Sequence, residues 1–582
     1  MINSTRRQFI VRAAGATATP YVLTPSRSNG SSVPDIIIHN GKIVTVDRSF
    51  SIVEALSIRN GRILATGSSA DILATSDRQT RMINLDGNTV VPGLIDAHAH
   101  PESASLREIE KALPNPRSVD DCLVWIRDTA RELPDGEWIT HPKLFLTRLR
   151  DLRSPSLAEL DAVAPHNPVF LSASYGGVIN TAAMRASEIS ESTTHKGLLR
   201  DTSSGKLNGK LINTAFSLLK LPKRKSFTES ERIDALGNML RRYNSVGFTG
   251  VTSGSGSPEI VNQYQSLRDN GHLTARVYKN ISARISLQGT SLDSIRESVA
   301  DFSLKTGDGD EWLRIGALKS SIDGGILTGT AFMREPWGEK AAGIFGITDP
   351  GYRGNVRVTA DDYANFVRAG TEAGWKMTAH CTGGGGVDLM LDGYEQVQRE
   401  RDIRPRRNSI IHGNFYTPEA ISRAGRLGVI ADMQAAWFYK DADAMQTVLG
   451  GERIRRFHPY RSLLEAGVVV SAGSDHMVIF DEKVSINPYS PWLAMYSMVT
   501  RTTERGTVIV PEEAITREQA LRCYTINNAF ASFEENEKGS IEPGKYADLA
   551  VLDRDFLTCP AEEIQNIEIE MTMVGGKTVY RK

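Results

Sequence analysis

A chain of 582 residues has room for one large enzyme domain with accessories. Hydrophobic residues at 40% and charged residues at 24% are ordinary for a globular protein, and a net charge of −1 gives no footing for nucleic acid or an anionic membrane. Four cysteines without a CxxC pair argue against a disulfide framework and against a thiolate zinc site.

Near the N-terminus stands Thr5-Arg6-Arg7-Gln8-Phe9-Ile10, then a weakly apolar run, Ala13 to Leu23, too short to span a bilayer. Twin arginines before a large apolar residue read as a twin-arginine export signal, the alternative being a basic tail. That route carries folded proteins to a bacterial periplasm; without it the location is cytoplasmic. Residues 24–34, rich in Ser, Pro and Gly, form a linker, so 1–34 lie outside the fold.

From Asp35 short apolar strands alternate with turns. Ile36-Ile37-Ile38, Ile43 to Val46, Ala55 to Ile58, Arg62 to Ala65, Met82 to Leu85 and Val90-Val91 are separated by Asn40-Gly41, Asn60-Gly61 and Asp86-Gly87. Such pairs supply the positive φ angles of two-residue hairpins. The other end is alike: Ala547 to Leu552, Ile567 to Val574 and, past Gly575-Gly576, Lys577 to Tyr580. Neither end buries a core alone, so 35–91 and 540–582 are expected to pair into one flanking β-sandwich.

Between them lie eight apolar runs separated by helix-length stretches: Leu94–His98, Phe248–Ser253, Ala275–Ile281, Ile315–Ser320, Lys376–His380, Ser409–His412, Val429–Gln434 and Val468–Ala472. Strand alternating with helix eight times predicts an α/β fold, a TIM (βα)8 barrel over 92–539. The long gap after the first strand, residues 101–247, is read as an insertion, with Ser172 to Met184 reaching over the barrel mouth.

The first strand ends in His98-Ala99-His100. Alternate residues share a face, so both imidazoles point inward at the rim, a platform for a divalent metal. Lys319 ends the fourth strand. An inward lysine on an apolar strand is costly unless partnered, and burial lowers its pKa. Its neutral amine could take up carbon dioxide as a carbamate; the alternative is a salt-bridged lysine touching substrate. His380, His412 and Asp475 stand at the ends of strands five, six and eight. Singly each has a structural reading, a core histidine or a helix cap, but polar residues at C-terminal barrel ends read as catalytic.

Other positions carry two readings each. Asp323 and Thr328 either contact substrate or shape an Asx-type turn. Trp437, Phe438 and Tyr439 either wall a pocket from the loop after strand seven or simply pack. Trp492 and Arg501 either form a lid or are a core Trp and a solvated Arg. His476 alternates outward behind Asp475, and Cys381 alternates away beside His380.

Together, HxH on strand one, Lys on four, His on five and six and Asp on eight resemble the amidohydrolase superfamily over roughly residues 35–582. The stretches Lys319 to Ala331, His380 to Asp388, Gly473-Ser474-Asp475 and Gly539 to Leu552 resemble its family 3 branch, which includes N-substituted formamide deformylases. Many members carry Gly-Asp after the strand-five His, where this chain has Gly383 to Gly386 and so no such acid. The resemblance implies two divalent metal ions. His98, His100 and Asp475 would hold the more buried one, His380 and His412 the second, with carbamylated Lys319 bridging. Zinc suits these donors best, with manganese, iron or cobalt admitted and a single metal over unmodified Lys319 left open. The implied reaction is hydrolysis of a C–N bond in an amide, N-substituted formamide or cyclic imide by a metal-bridging hydroxide, Asp475 acting as general base and then acid. Ester, lactone or phosphoester hydrolysis on the same metals, and a small-molecule-binding homologue without turnover, are the alternatives. The expected partner is a small-molecule substrate, with no membrane after leader removal; a homo-oligomer is compatible with the sequence.

Overall fold

The computed structural model describes residues 33–582 except 110–111, 174, 202 and 224–225. The twin-arginine stretch and the linker up to residue 32 lie outside the described residues. Among the described residues no helix is long and apolar enough to cross a membrane.

The two chain ends meet in one sheet. Its six strands run in the order Lys577–Arg581, Ile569–Val574, Leu549–Leu552, Thr89–Pro92, Lys42–Val44 and Ile52–Val53. The join is antiparallel, Leu549–Leu552 against Thr89–Pro92. A second sheet of four strands, Arg62–Gly67, Ala55–Arg59, Ile36–His39 and Arg81–Asn84, is wholly N-terminal. One apolar cluster containing Ile38, Leu56, Ile58, Val90, Leu549 and Met573 serves both sheets.

The turn signals divide. Asn60-Gly61, at φ 49° and 75°, and Gly575-Gly576, at φ 54° and 75°, close antiparallel hairpins as expected. Asn40 and Asp86-Gly87 also adopt positive φ, yet the strands on either side belong to different sheets. Turn chemistry fixes the backbone angles; it does not choose the pairing partner.

Eight parallel strands form the barrel: β1 (Leu94–Ala99), β2 (Phe248–Ser253), β3 (Arg276–Ser282), β4 (Leu313–Ser321), β5 (Met377–Cys381), β6 (Ser409–His412), β7 (Ile430–Met433) and β8 (Val470–Ala472). Each overlaps one of the eight apolar runs, with ends shifted by at most two residues. The helices between strands carry their own local signals. Thr417 accepts from the Ala420 amide, Pro418 starts the helix Pro418–Leu427, and Gly428 at φ 62° ends it.

The β8–β1 seam closes without a named strand pairing. The Asp475 amide donates to His98 O at 2.6 Å and the His100 amide to His476 O at 2.8 Å. Deeper in the seam, buried Asn528 donates to both Ile95 O and Ala472 O, at 2.6 and 2.9 Å. One side-chain amide thus satisfies carbonyls that a regular ladder would pair.

Between β1 and β2 lies a sheet of five strands ordered Leu198–Arg200, Leu207–Ile212, Gly176–Ile179, Val169–Ser172 and Ile139–His141. It has its own apolar clusters, around Phe170, Ile179 and Leu211 and around Ile126, Leu160 and Leu171. Arg148 fastens this region to the barrel helix Ala435–Leu449 by a two-pronged pair with Asp441, at 2.7 and 2.9 Å.

Candidate active site at the barrel mouth

The end of β1 and the turn after β8 build one unit. On β1 the alternation that aims His98 inward also aims Asp96 inward, and both are fully buried. The Asp96 carboxylate accepts from the His98 amide at 3.0 Å, the Ser474 amide at 3.0 Å and Ser474 Oγ at 2.6 Å. Gly473 is required beside it, because a Cβ there would collide with the His98 backbone. Gly-Ser-Asp therefore has a stereochemical meaning: close approach, anchor, functional group.

That functional group is Asp475, held at φ 54°, a left-handed conformation costly for a non-glycine residue. Its Oδ1 lies 3.1 Å from His100 Nε2 and 3.5 Å from His98 Nε2. Asn487 Nδ2 donates to Oδ2 at 3.0 Å and to the Asp475 carbonyl at 2.7 Å. Burial alone would raise the pKa, but the His100 hydrogen bond and the charges of His100, His412 and Lys319 bring it down to about 2. The carboxylate is ionised at neutral pH.

Lys319 Nζ sits 3.4 Å from His98 Nε2. Burial lowers its pKa to about 8, against the opposing pull of Asp475 and Asp432. His412 ends β6 at φ 74° and is stacked on Trp437, centroids 4.8 Å apart. Its Nδ1 donates to Gln434 Oε1 at 2.5 Å, and Gln434 Nε2 donates to Asp432 Oδ1 at 3.1 Å. The Asp432 contact fixes which end of the Gln434 amide is oxygen, and hence places the His412 proton on Nδ1. The His380 ring is 4.7 Å from that of His412, and its Nε2 donates to Gly324 O at 2.9 Å. Burial holds His98 and His380 well below the usual histidine range and His412 at about 4.

Three neutral imidazoles, an ionised carboxylate and a lysine of lowered pKa thus converge at the C-terminal ends of β1, β4, β5, β6 and β8. The donor atoms of His98, His100 and Asp475 lie within 4.8 Å of one another, while His380 and His412 stand beside that group. His98 turns Nε2 towards Asp475 Oδ1 and Lys319 Nζ, while its Nδ1 is buried without a hydrogen-bond partner. A set of imidazole and carboxylate donors of this kind fits a divalent cation.

Above this floor opens a cavity of about 520 Å³, lined by His100, Lys319, His380, His412 and Asp475. Thr328 and Trp437 also line it, as does Tyr175, from the stretch read as reaching over the mouth. Trp437 does so from the first turn of a helix, Ala435–Leu449, where a loop was expected.

Four positions that carried two readings now have a place, Tyr439 and Trp492 by packing and Asp323 and Arg501 by neither reading. Asp323 is fully buried and outside the cavity lining: its carboxylate takes the amides of Phe332, Thr382 and Gly383 at 2.8 to 2.9 Å, tying the loop after β4 to the loop after β5. That is neither a substrate contact nor an Asx turn. Tyr439 lies off the cavity, its ring facing Tyr496 at 6.5 Å between centroids. Trp492 is core, packed against Phe556, not part of a lid. Arg501 is buried rather than solvated, 3.6 Å above the Phe438 ring and bonded to the carbonyls of Phe457, His458 and Ile509.

The glycines after His380 also find a reason. Gly383 caps the helix Gly384–Glu400, and a Cβ on Gly383 or Gly384 would collide with Phe332 or Arg334. Sequence reasoning passed over Asp96 and Gln434, although alternation along β1 and the strand-end rule at β7 flag them. Lys143 and Asn487 line the cavity from segments whose placement no local pattern announces.

Residues 81–580 match the model of the amidohydrolase family. The chain is 29% identical to the N-substituted formamide deformylase of Arthrobacter pascens, over 94% of this chain and 98% of that protein. It is 28% identical to the protein LONG AFTER FAR-RED 3 of Arabidopsis thaliana, over 94% and 92%. Its fold is similar to that of an uncharacterized metal-dependent hydrolase from Pyrococcus horikoshii, with a TM-score of 0.65 at 20% identity, covering 90% of this chain and 99% of that one.

Proposed function

Because the chain belongs to the amidohydrolase family, we propose that it is a metal-dependent hydrolase cleaving a C–N bond in an amide, N-substituted formamide or cyclic imide. The observation that carries this reading is the convergence of six residues: His100, Lys319, His380, His412 and Asp475 line one cavity, and His98 lies against Asp475 and Lys319 beneath it. The similarity to a formamide deformylase favours the C–N class over esters.

His98, His100 and Asp475 would hold one divalent ion, zinc by preference, and His380 and His412 a second. The lowered pKa of Lys319 leaves part of the amine neutral near pH 7, able to add carbon dioxide, lose a proton and present an anionic oxygen donor to both. Bound ions would supply Lewis acidity, acidifying a water and polarising the scissile carbonyl. The chain does the rest. Asp475, ionised and held by Asn487, is placed to take a proton from the attacking water and return it to the leaving nitrogen. His412 is kept in one tautomer by Gln434. Trp437 and Tyr175 wall the site beside it. In this reading 35–91 and 540–582 form a β-sandwich beside a barrel domain of 92–539, and residues 1–34 address the enzyme for export.

The test is metal stoichiometry by elemental mass spectrometry on the purified protein, with Lys319→Ala and Asp475→Asn alongside. We expect about two ions per chain in the wild type, a drop in Lys319→Ala, and loss of amide turnover by about a hundredfold or more in a still-folded Asp475→Asn. Absence of metal after reconstitution would sink the hydrolase reading. One ion, indifferent to Lys319, would sink the binuclear arrangement.

A further inference from the structure

The wall above the reacting centre is unbalanced in charge. Among the described residues lining the cavity, Asp475 is the only carboxylate, and it is turned to the floor against His98 and His100. Two cationic residues other than Lys319 line the same space, Lys143 and Arg357. Lys143 follows Ile139–His141, the edge strand of the insertion sheet, and stands close enough to Asp475 to interact with its charge. Burial draws its pKa down to about 8, which leaves most of it cationic at neutral pH.

This cation is not on a loose loop. Five residues on, Arg148 forks onto Asp441 of the helix Ala435–Leu449. From the start of the same insertion, Arg117 reaches Glu504 at 2.8 Å, which Lys440 of that helix meets at 2.5 Å. Arg357 is exposed, its guanidinium 5.6 Å from the Tyr175 ring centroid, and Tyr175 lies 6.1 Å from the His380 ring. The rest of the wall includes the apolar side chains of Phe145, Ile285, Leu287 and Val358. A fixed cation beside apolar surface, with no acid but Asp475 among the described lining residues, favours anions and rejects cations of the same shape.

We infer that the cavity selects an anionic substrate: an amide whose apolar body carries a carboxylate, bound at Lys143, with Arg357 drawing the anion in. The inference rests on the hydrolase reading and deepens it by naming the substrate's charge. A cation in this position could instead act on the reacting centre, and the two roles separate kinetically. An anchor changes the ratio between charged and neutral substrates; a group stabilising the transition state changes turnover of all of them.

The experiment uses full-length metal-loaded enzyme and the formamides and acetamides of ε-aminocaproate, hexylamine and, acylated once, hexamethylenediamine. These present the same chain with an anionic, neutral or cationic end. We expect kcat/KM to favour the caproate over the hexyl compound by about tenfold or more, with the diamine poorest. Lys143→Gln should bring the anionic-to-neutral ratio close to one, and Lys143→Arg should keep most of it. A wild-type ratio near one, a ratio untouched in Lys143→Gln, or an equal loss on all three substrates would overturn the inference. Should Lys143→Gln fail to fold, Arg357→Gln on the exposed side must lower the same ratio. If no amide is hydrolysed, hexanoate and hexanol binding read by tryptophan fluorescence decides separately. Hexanoate binding weakened about tenfold in Lys143→Gln keeps the anion site while the hydrolase reading falls; equal binding in both proteins removes it.

Discussion

His412 and Asp475 share a backbone property that few side-chain-bearing residues have: both are held at positive φ, 74° and 54°. Each conformation costs on the order of 1–3 kcal/mol and persists only where its surroundings over-determine it. For Asp475 the surroundings are the Asp96 anchor one residue before it and the Asn487 amide on its own carboxylate. For His412 they are the stacked Trp437 ring and the Gln434 oxygen. Gln434 is therefore a positioning residue for His412. Replacing it by leucine keeps the volume and removes the acceptor, freeing the imidazole proton to move to Nε2. Metal affinity should fall about ten- to hundredfold. Titrating the metal-free variant with zinc and following intrinsic fluorescence would check this; affinity equal to wild type would show that the tautomer is fixed by something else.

At the scale of elements, the helix Ala435–Leu449 does two jobs along its length. Its first turn puts Trp437 against His412, and its middle holds the insertion through Asp441 and Lys440. Asp441 is nearly inaccessible, so an unpaired carboxylate there is expensive. Arg148→Met should cost about 3 kcal/mol and loosen the insertion before the barrel. Hydrogen exchange should then rise over residues 139–172 while β4 to β7 stay protected. Uniform exchange across both regions would mean that the insertion is held by its apolar contacts instead.

The whole molecule buries an uncommon number of titratable groups, and their signs decide its response to acid. Six histidines are depressed by burial: His98, His380 and His458 well below the usual range, His141 below it, and His412 and His476 to about 4. A folded histidine of depressed pKa stays neutral while the unfolded one takes a proton below pH 6.5, so each loses stability as pH falls from there towards 4. Four carboxyls work the other way: burial raises Asp96 and Asp323 to about 7, Asp432 to about 8 and Glu482 above its usual range, and each gains stability as pH falls through its raised value towards the unfolded carboxylate range. Between pH 6.5 and 4 six groups oppose four, leaving a net uptake of about two protons on unfolding and a loss of about 3 kcal/mol per pH unit. Thermal melts of the metal-free protein should thus fall steadily from pH 6.5 to 4. A flat profile would show that the buried carboxyls and histidines compensate one another.

Much of this was readable in the chain. The period of apolar runs gave eight barrel strands, because a parallel strand buried on both faces is written as a continuous apolar segment. Alternation at a strand end pointed both histidines of His98-Ala99-His100 inward, and the same rule turned Cys381 and His476 away. The roles of Asp323, Tyr439, Trp492 and Arg501 were not readable, since a polar or aromatic residue beside a site motif carries no signal of which neighbour it faces. Nor could Asn40-Gly41 and Asp86-Gly87 reveal that they pass the chain between sheets. Local pattern by itself determined which segments are strands and which side chains share their inner face, because both follow from the geometry of the single strand. Only the tertiary structure decided that Lys143 and Asn487 stand beside the same carboxylate and imidazoles. Such neighbours come from segments far apart in sequence, and their meeting depends on how the barrel closes and where the insertion is tied down.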